Sequence, residues 1–113
     1  MIQVVDKFIA LTQVQKLAQE TFGVMVKGVV DLRTKVMALG GELHADAEAV
    51  LLEGGSRQTD LWGFNIYPDK DRKEWLEFSS LINIRPRQAN LSMEVQDELV
   101  KKQMAAIVNS LIQ

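Results

Sequence analysis

Seven residues, Leu61 to Tyr67, read LWGFNIY and alternate in character. Trp62, Phe64 and Ile66 point one way, and Leu61, Gly63, Asn65 and Tyr67 the other, which is the period-two signature of a strand. A charged turn, PDKDRK, follows, and Trp75 to Arg85 alternates again. Leu76, Phe78, Ser80, Ile82 and Ile84 share one side of that run. Trp75, Glu77, Ser79, Leu81, Asn83 and Arg85 share the other. Two alternating runs across a short polar turn predict a hairpin, with Asn65 opposite Glu77 and Gly63 opposite Ser79. A slip of a single residue would exchange the faces.

The remaining segments supply the cover for such a hairpin. Ile2–Val5 suits a short strand or a pairing arm. Thr12 and Gln15 match a capping box opening a first helix that carries Val14, Leu17, Ala18 and Phe22, with Gly23 as its stop. Val24–Asp31 and Lys35–Leu39 are rich in β-branched residues at either end of the short loop Leu32-Arg33-Thr34, a second hairpin. A second helix begins between His44 and Asp46, with Asp46 and Glu48 against its positive end and Gly54-Gly55 as its stop. Its apolar stripe is Leu43, Ala47, Val50 and Leu51. Ser92 suits the N-cap of a last helix whose apolar face is Val100, Met104, Ile107, Val108 and Leu111. The order α-β-β-α-β-β-α predicts an α+β fold in two layers: a four-stranded antiparallel sheet made of two hairpins, with helices on one face.

The totals bound what such a fold can do. With 113 residues the chain suits one domain, 1–113. It has no cysteine, which excludes disulfides, thiolate zinc sites and cysteine nucleophiles, and fits a reducing compartment. The start, MIQVVDKFIA, lacks the regions of a signal peptide, and no stretch is long and apolar enough to span a membrane. A cytoplasmic location without membrane attachment is therefore expected. The net charge of −2 offers no global field for nucleic acid, and the tryptophans lack interleaved basic residues, so direct nucleic-acid binding is not expected. The glycine pairs match neither phosphate-binding nor dinucleotide-binding fingerprints, and Ser56 lacks a nucleophile elbow.

Three places can carry chemistry. With helices over the tryptophan-phenylalanine-isoleucine side, the opposite sheet face presents Asn65, Tyr67, Glu77, Ser79, Asn83 and Arg85. Amides, a phenol, a carboxylate and a guanidinium can cradle a ligand; a solvated face or a contact with a second copy explains the same residues. His44, the only histidine, lies near Glu42, Asp46 and Glu48. A neutral imidazole oriented by Glu42 can act as a general base. A metal site would need more ligands than the sequence offers, and a capping or turn role accounts for His44 equally. Finally, Arg85-Pro86-Arg87, with amides on either side, can grip a phosphate or carboxylate by forked hydrogen bonds, unless its arginines are simply solvated.

At GGELHADAEAVLLEGGSRQTDLWGFNIYP and EFSSLINIRPRQANLS the chain resembles a small bacterial family known only as a domain of unknown function. The resemblance runs from TFGVMVKGVVD to the terminal helix, on the pattern GELHAD…LWGxNxYP…INIRPxQ. The family pattern carries a small residue at the position of Arg87 and a glycine at that of Ala89, which favours Arg85 over Arg87 as a site residue. The resemblance implies a compact bacterial cytoplasmic protein, and brings no activity, cofactor or substrate.

The sequence therefore predicts a binding and assembly module, expected to be a homo-oligomer because open sheet edges must be paired or blunted. Its ligand, a small anion among the options, would meet Asn65, Tyr67, Glu77, Asn83 and Arg85. An alternative is an enzyme acting on a phosphate- or carboxylate-bearing molecule. There His44 would be the base, Glu42 or Glu77 would orient it or hold a metal, and Arg85 would fix the anion. A further alternative is a regulatory partner of a nucleic-acid-binding protein.

Overall fold

The computed structural model describes residues 1–113. Its strands are β1 (Ile2–Val5), β2 (Val26–Asp31), β3 (Val36–Gly40), β4 (Leu61–Ile66) and β5 (Leu76–Glu77). Its helices are α1 (Leu11–Glu20), α2 (His44–Glu53) and α3 (Glu98–Leu111), with short 3-10 turns at Gln58–Asp60, Leu81–Asn83 and Pro86–Gln88. The fold is α+β. All strand pairs are antiparallel, and the sheet order is β1-β3-β2-β4-β5.

Two features of the expected layout change. The sheet has five strands, because Ile2–Val5 pairs with β3 from Ile2↔Gly40 to Val5↔Met37. Helices also cover both faces. On one side α1 and α3 bury Val14, Leu17, Met104, Ile107 and Val108 against Val26, Val30, Met37, Leu39, Trp62, Phe64 and Ile66. On the other, α2 packs Ala47 and Leu51 on Val29, Ala38 and Leu61. The reason is in the strands: VMALG is apolar on both faces and Val29 of β2 lies on the same side as Ala38, so a second cover is needed to keep Val29 and Ala38 from water. Every residue of β4 is buried in consequence.

The helix ends follow local chemistry. Helix α1 starts at Leu11 without a side-chain cap, and Thr12 lies inside its first turn rather than at a capping box. The entry to α1 is held instead by the C-terminal segment: the Leu11 N–H donates to the Gln113 carbonyl at 3.0 Å, and Ile9 and Ile112 form a bridge. Gly23, at φ 86°, turns the chain after α1 as expected, its N–H donating to the Ala18 carbonyl. Asp97, not Ser92, caps α3, its carboxylate accepting from the N–H of Leu99 at 2.8 Å and, more weakly, of Val100. Ser92 closes a local turn on Glu94.

The long C-terminal strand does not form. Only Leu76–Glu77 pairs with β4, in the expected register Asn65↔Glu77. From Phe78 onward the chain pairs with a different segment: Ser80 N–H donates to the Met93 carbonyl and Val95 N–H to that of Phe78. The alternation therefore breaks. Trp75 is buried in the α1–α3 core, its Nε1–H donating to Asn109 Oδ1 at 3.0 Å, while Ile82 packs on the α2 side and Ile84 is exposed.

Candidate functional site

The site begins with a reversal that only glycine permits. After β3, Gly40 and Gly41 take φ of 110° and 83°, and a Cβ on Gly40 would lie 2.2 Å from the Met1 carbonyl oxygen. This turn throws the chain back over the sheet and sets His44 as the first residue of α2, above β4.

His44 is 8% exposed, and its Nε2 lies 2.8 Å from the carbonyl oxygen of Phe64. A carbonyl only accepts, so Nε2 carries the proton. Burial drives the imidazole pKa below its usual 6.5; the Phe64 carbonyl opposes this, the charge of Lys27 adds to it, and Asn65 opposes it. His44 is thus neutral at neutral pH.

Beneath it lies a cross-strand row. Lys27 faces Asn65 across β2–β4, and Asn65 faces Glu77 across β4–β5. The Asn65 amide nitrogen donates to Glu77 Oε1 at 2.7 Å and to the Ser79 carbonyl at 3.3 Å. Both partners are acceptors, which fixes the orientation of the amide. Its oxygen is left on the other side, buried and without a hydrogen bond of good geometry, although it faces the imidazole closely enough to favour its protonation. Tyr67 reaches Glu77 Oε1 at 3.4 Å, and its pKa is pushed above 10 by burial and by the Glu77 charge. A cavity of about 470 Å³ opens over this row, walled by the first turn of α2 and by Leu81, Ile82 and Met93.

The structure thus gathers His44, Asn65 and Glu77 around one cavity, with Tyr67 bonded to Glu77, and sets the other candidates elsewhere. Glu42 is exposed and makes no hydrogen bond to His44. Asn83 is fully buried and pairs with the backbone of Gly63. Arg85 is 8% exposed and lies over the Trp62 ring at 4.7 Å. Its Nε donates to the Ile82 carbonyl, Nη1 to Gln58 and Gln88, and Nη2 to the Leu61 carbonyl, with Glu48 at 3.7 Å. A hollow of about 600 Å³ adjoins it, but Arg85 has every nitrogen engaged and acts as a brace. The placing of Asn83 and Arg85 on an open polar face is therefore corrected: α2 and the 3-10 turns cover that end of the sheet.

Lys27 was not visible as a site residue, because the β2–β4 pairing joins segments far apart in sequence. No three His, Cys, Asp or Glu side chains converge in a way that could hold a metal ion. No helix is long and apolar enough to cross a membrane.

Among known families, the model described as protein of unknown function (DUF5674) matches residues 3–111. The chain belongs to this family. Neither the curated proteins nor the solved structures contain a match to it. In this member of the family Asn65 lies between Lys27 and Glu77 on the floor of the cavity.

Proposed function

We propose that the protein is a small-molecule binding module whose site is the cavity over Lys27, Asn65 and Glu77, beneath the first turn of α2. One observation carries the reading: a cavity of about 470 Å³ sets the exposed apolar side chains of Leu43, Leu81 and Met93 around a polar floor of Lys27, Asn65 and Glu77. Binding is better supported than catalysis, because the His44 ring is buried and its Nε2–H is already given to Phe64. The test is a fragment screen by amide chemical shifts on the whole chain. Shifts clustered at residues 43–45, 65 and 77–82, abolished in Asn65→Leu, support the reading; hits confined to other surfaces sink it.

Self-association is a second reading, favoured by the outer edge of β1, which no strand covers, and by Val4 there, 49% exposed. Stable pairing would bury more than about 1,000 Å² in total. A monomeric mass by light scattering at micromolar concentration would exclude it.

A further inference from the structure

We infer that two copies of the chain join through β1, edge to edge and antiparallel about a two-fold axis, into one continuous sheet with five strands from each copy. This rests on the self-association reading above and names its surface, symmetry and register. Of the two edges of the sheet, β1 is the open one. At the other, the run past β5 is closed by residues 93–95. There the Ser80 N–H donates to the Met93 carbonyl, the Val95 N–H donates to the Phe78 carbonyl, and Ser79 and Glu94 form an antiparallel bridge. With one open edge per chain, copies can pair only β1 to β1. The contact is then isologous, and growth stops at two.

β1 lacks most of the guards of a free edge. Its four residues, Ile-Gln-Val-Val, carry no charge and no proline, and they pair with β3 in unbroken register, without a bulge. Shortness is the one guard present. Asp6 and Lys7, the first charged side chains, lie past its end. Along such a strand alternate residues turn their N–H and C=O away from the neighbouring strand. No backbone hydrogen bond outside the β1–β3 ladder reaches residues 2–8 to occupy them.

The side chains choose the partner and the register. Residues opposed in an antiparallel pair share a face, so a two-fold axis normal to the sheet runs through a residue and its own copy. An axis at Val4 sets Ile2 against Asp6 of the second copy, an apolar group against a charge. An axis at Gln3 sets Ile2 against Val4 in both directions and leaves Asp6 and Lys7 beyond the pairing. Ile2 packs on the cluster under α2. Val4 shares its face and is 49% exposed, beside a hollow of about 240 Å³ lined by Val36, Val50 and Leu51. Ile2 of the second copy covers Val4 there, and burial of this apolar strip adds to the new backbone bonds. The strand is thus complementary to itself, which favours a second copy over a foreign segment.

The experiment uses the whole chain, with its mass read by light scattering at micromolar concentrations. A mass twice that of one chain is expected. Val4→Lys, which places a charged guard on the edge, is expected to return the mass to that of one chain with an unchanged circular dichroism spectrum. The register is read by cross-linking, in a chain with no cysteine of its own. Under mild oxidation Gln3→Cys is expected to form a disulfide-linked dimer, because opposed Cβ atoms lie about 4.5–5.5 Å apart. Val4→Cys is expected to form roughly tenfold less, its copies lying beyond disulfide reach. A monomeric mass overturns the inference together with the self-association reading. A dimer that Val4→Lys leaves intact, or that Gln3→Cys fails to cross-link, overturns the inference alone, since the copies then join elsewhere. A mass above two chains, or faster cross-linking at Val4 than at Gln3, also overturns it.

Discussion

Asn83 and Gly63 exchange two hydrogen bonds as if both were strand residues. The Gly63 N–H donates to Asn83 Oδ1 at 2.8 Å, and Asn83 Nδ2 donates back to the Gly63 carbonyl at 3.0 Å. The chain has already left the sheet at Phe78, so a side-chain amide completes the edge of β4 where β5 stops. Gly63 allows this closeness: a Cβ there would lie 2.6 Å from that of Ser80.

Replacing Asn83 by Ala would strand a buried N–H and C=O of β4, each costing about 1–3 kcal/mol when unpaired. A loss of about 3 kcal/mol is expected from the Asn83→Ala unfolding curve in urea, with an unchanged slope. A loss under about 1 kcal/mol would show that water or a backbone shift repairs the edge.

Arg85 is expected to matter for stability and not for ligand binding. Arg85→Ala removes a fork that serves four carbonyl or amide oxygens and leaves Glu48 with its oxygen buried and unpaired. Breaking such a buried pair costs about 3–5 kcal/mol. Arg85→Lys is expected to recover only part of it, since an ammonium cannot reach the same set of oxygens. Thermal unfolding of both variants measures this, and unchanged cavity binding by Arg85→Lys would separate the brace from the site.

The His44 pKa sets a pH dependence. Its folded value lies below 6.5 because burial disfavours the imidazolium. Above 6.5 both folded and unfolded chains hold it neutral, so its contribution is fully present. As pH falls below 6.5 the unfolded chain gains the proton first, and stability is lost down to the folded pKa. Unfolding free energies between about pH 8 and pH 5 should fall more steeply for the wild type than for His44→Gln. Parallel curves would refute the buried, neutral imidazole.

Ala89 sits at φ 59°, in the left-handed region, as the C-cap of the 3-10 turn at Pro86–Gln88. An L-residue there costs roughly 1–2 kcal/mol, partly offset in a comparison with glycine by the latter's greater unfolded freedom. Ala89→Gly is therefore expected to stabilise by about 0.5–1 kcal/mol, read from the midpoint of thermal unfolding. A lower midpoint would contradict the strain argument.

Local pattern reached the site from one side only. The pairing of Asn65 with Glu77 follows from alternation across a short turn, and the start of α2 at His44 follows from the glycines and carboxylates around it. Lys27 and the approach of His44 to Asn65 were out of reach, because they depend on a strand pair and a helix placement that no short window encodes.

By itself the sequence determined the elements that depend on neighbours in the chain: both hairpin turns, the limits of α2, the apolar face of α3, and Trp62, Phe64 and Ile66 as core. Tertiary structure alone decided that α2 covers the second face, that Trp75 turns inward, and that Asn83 and Arg85 hold the end of β4 together. The physical reason is that alternation says only that two faces differ. Which face is covered depends on the total apolar surface of distant strands, and a buried amide or guanidinium is stable wherever the folded chain brings backbone groups to pair with it.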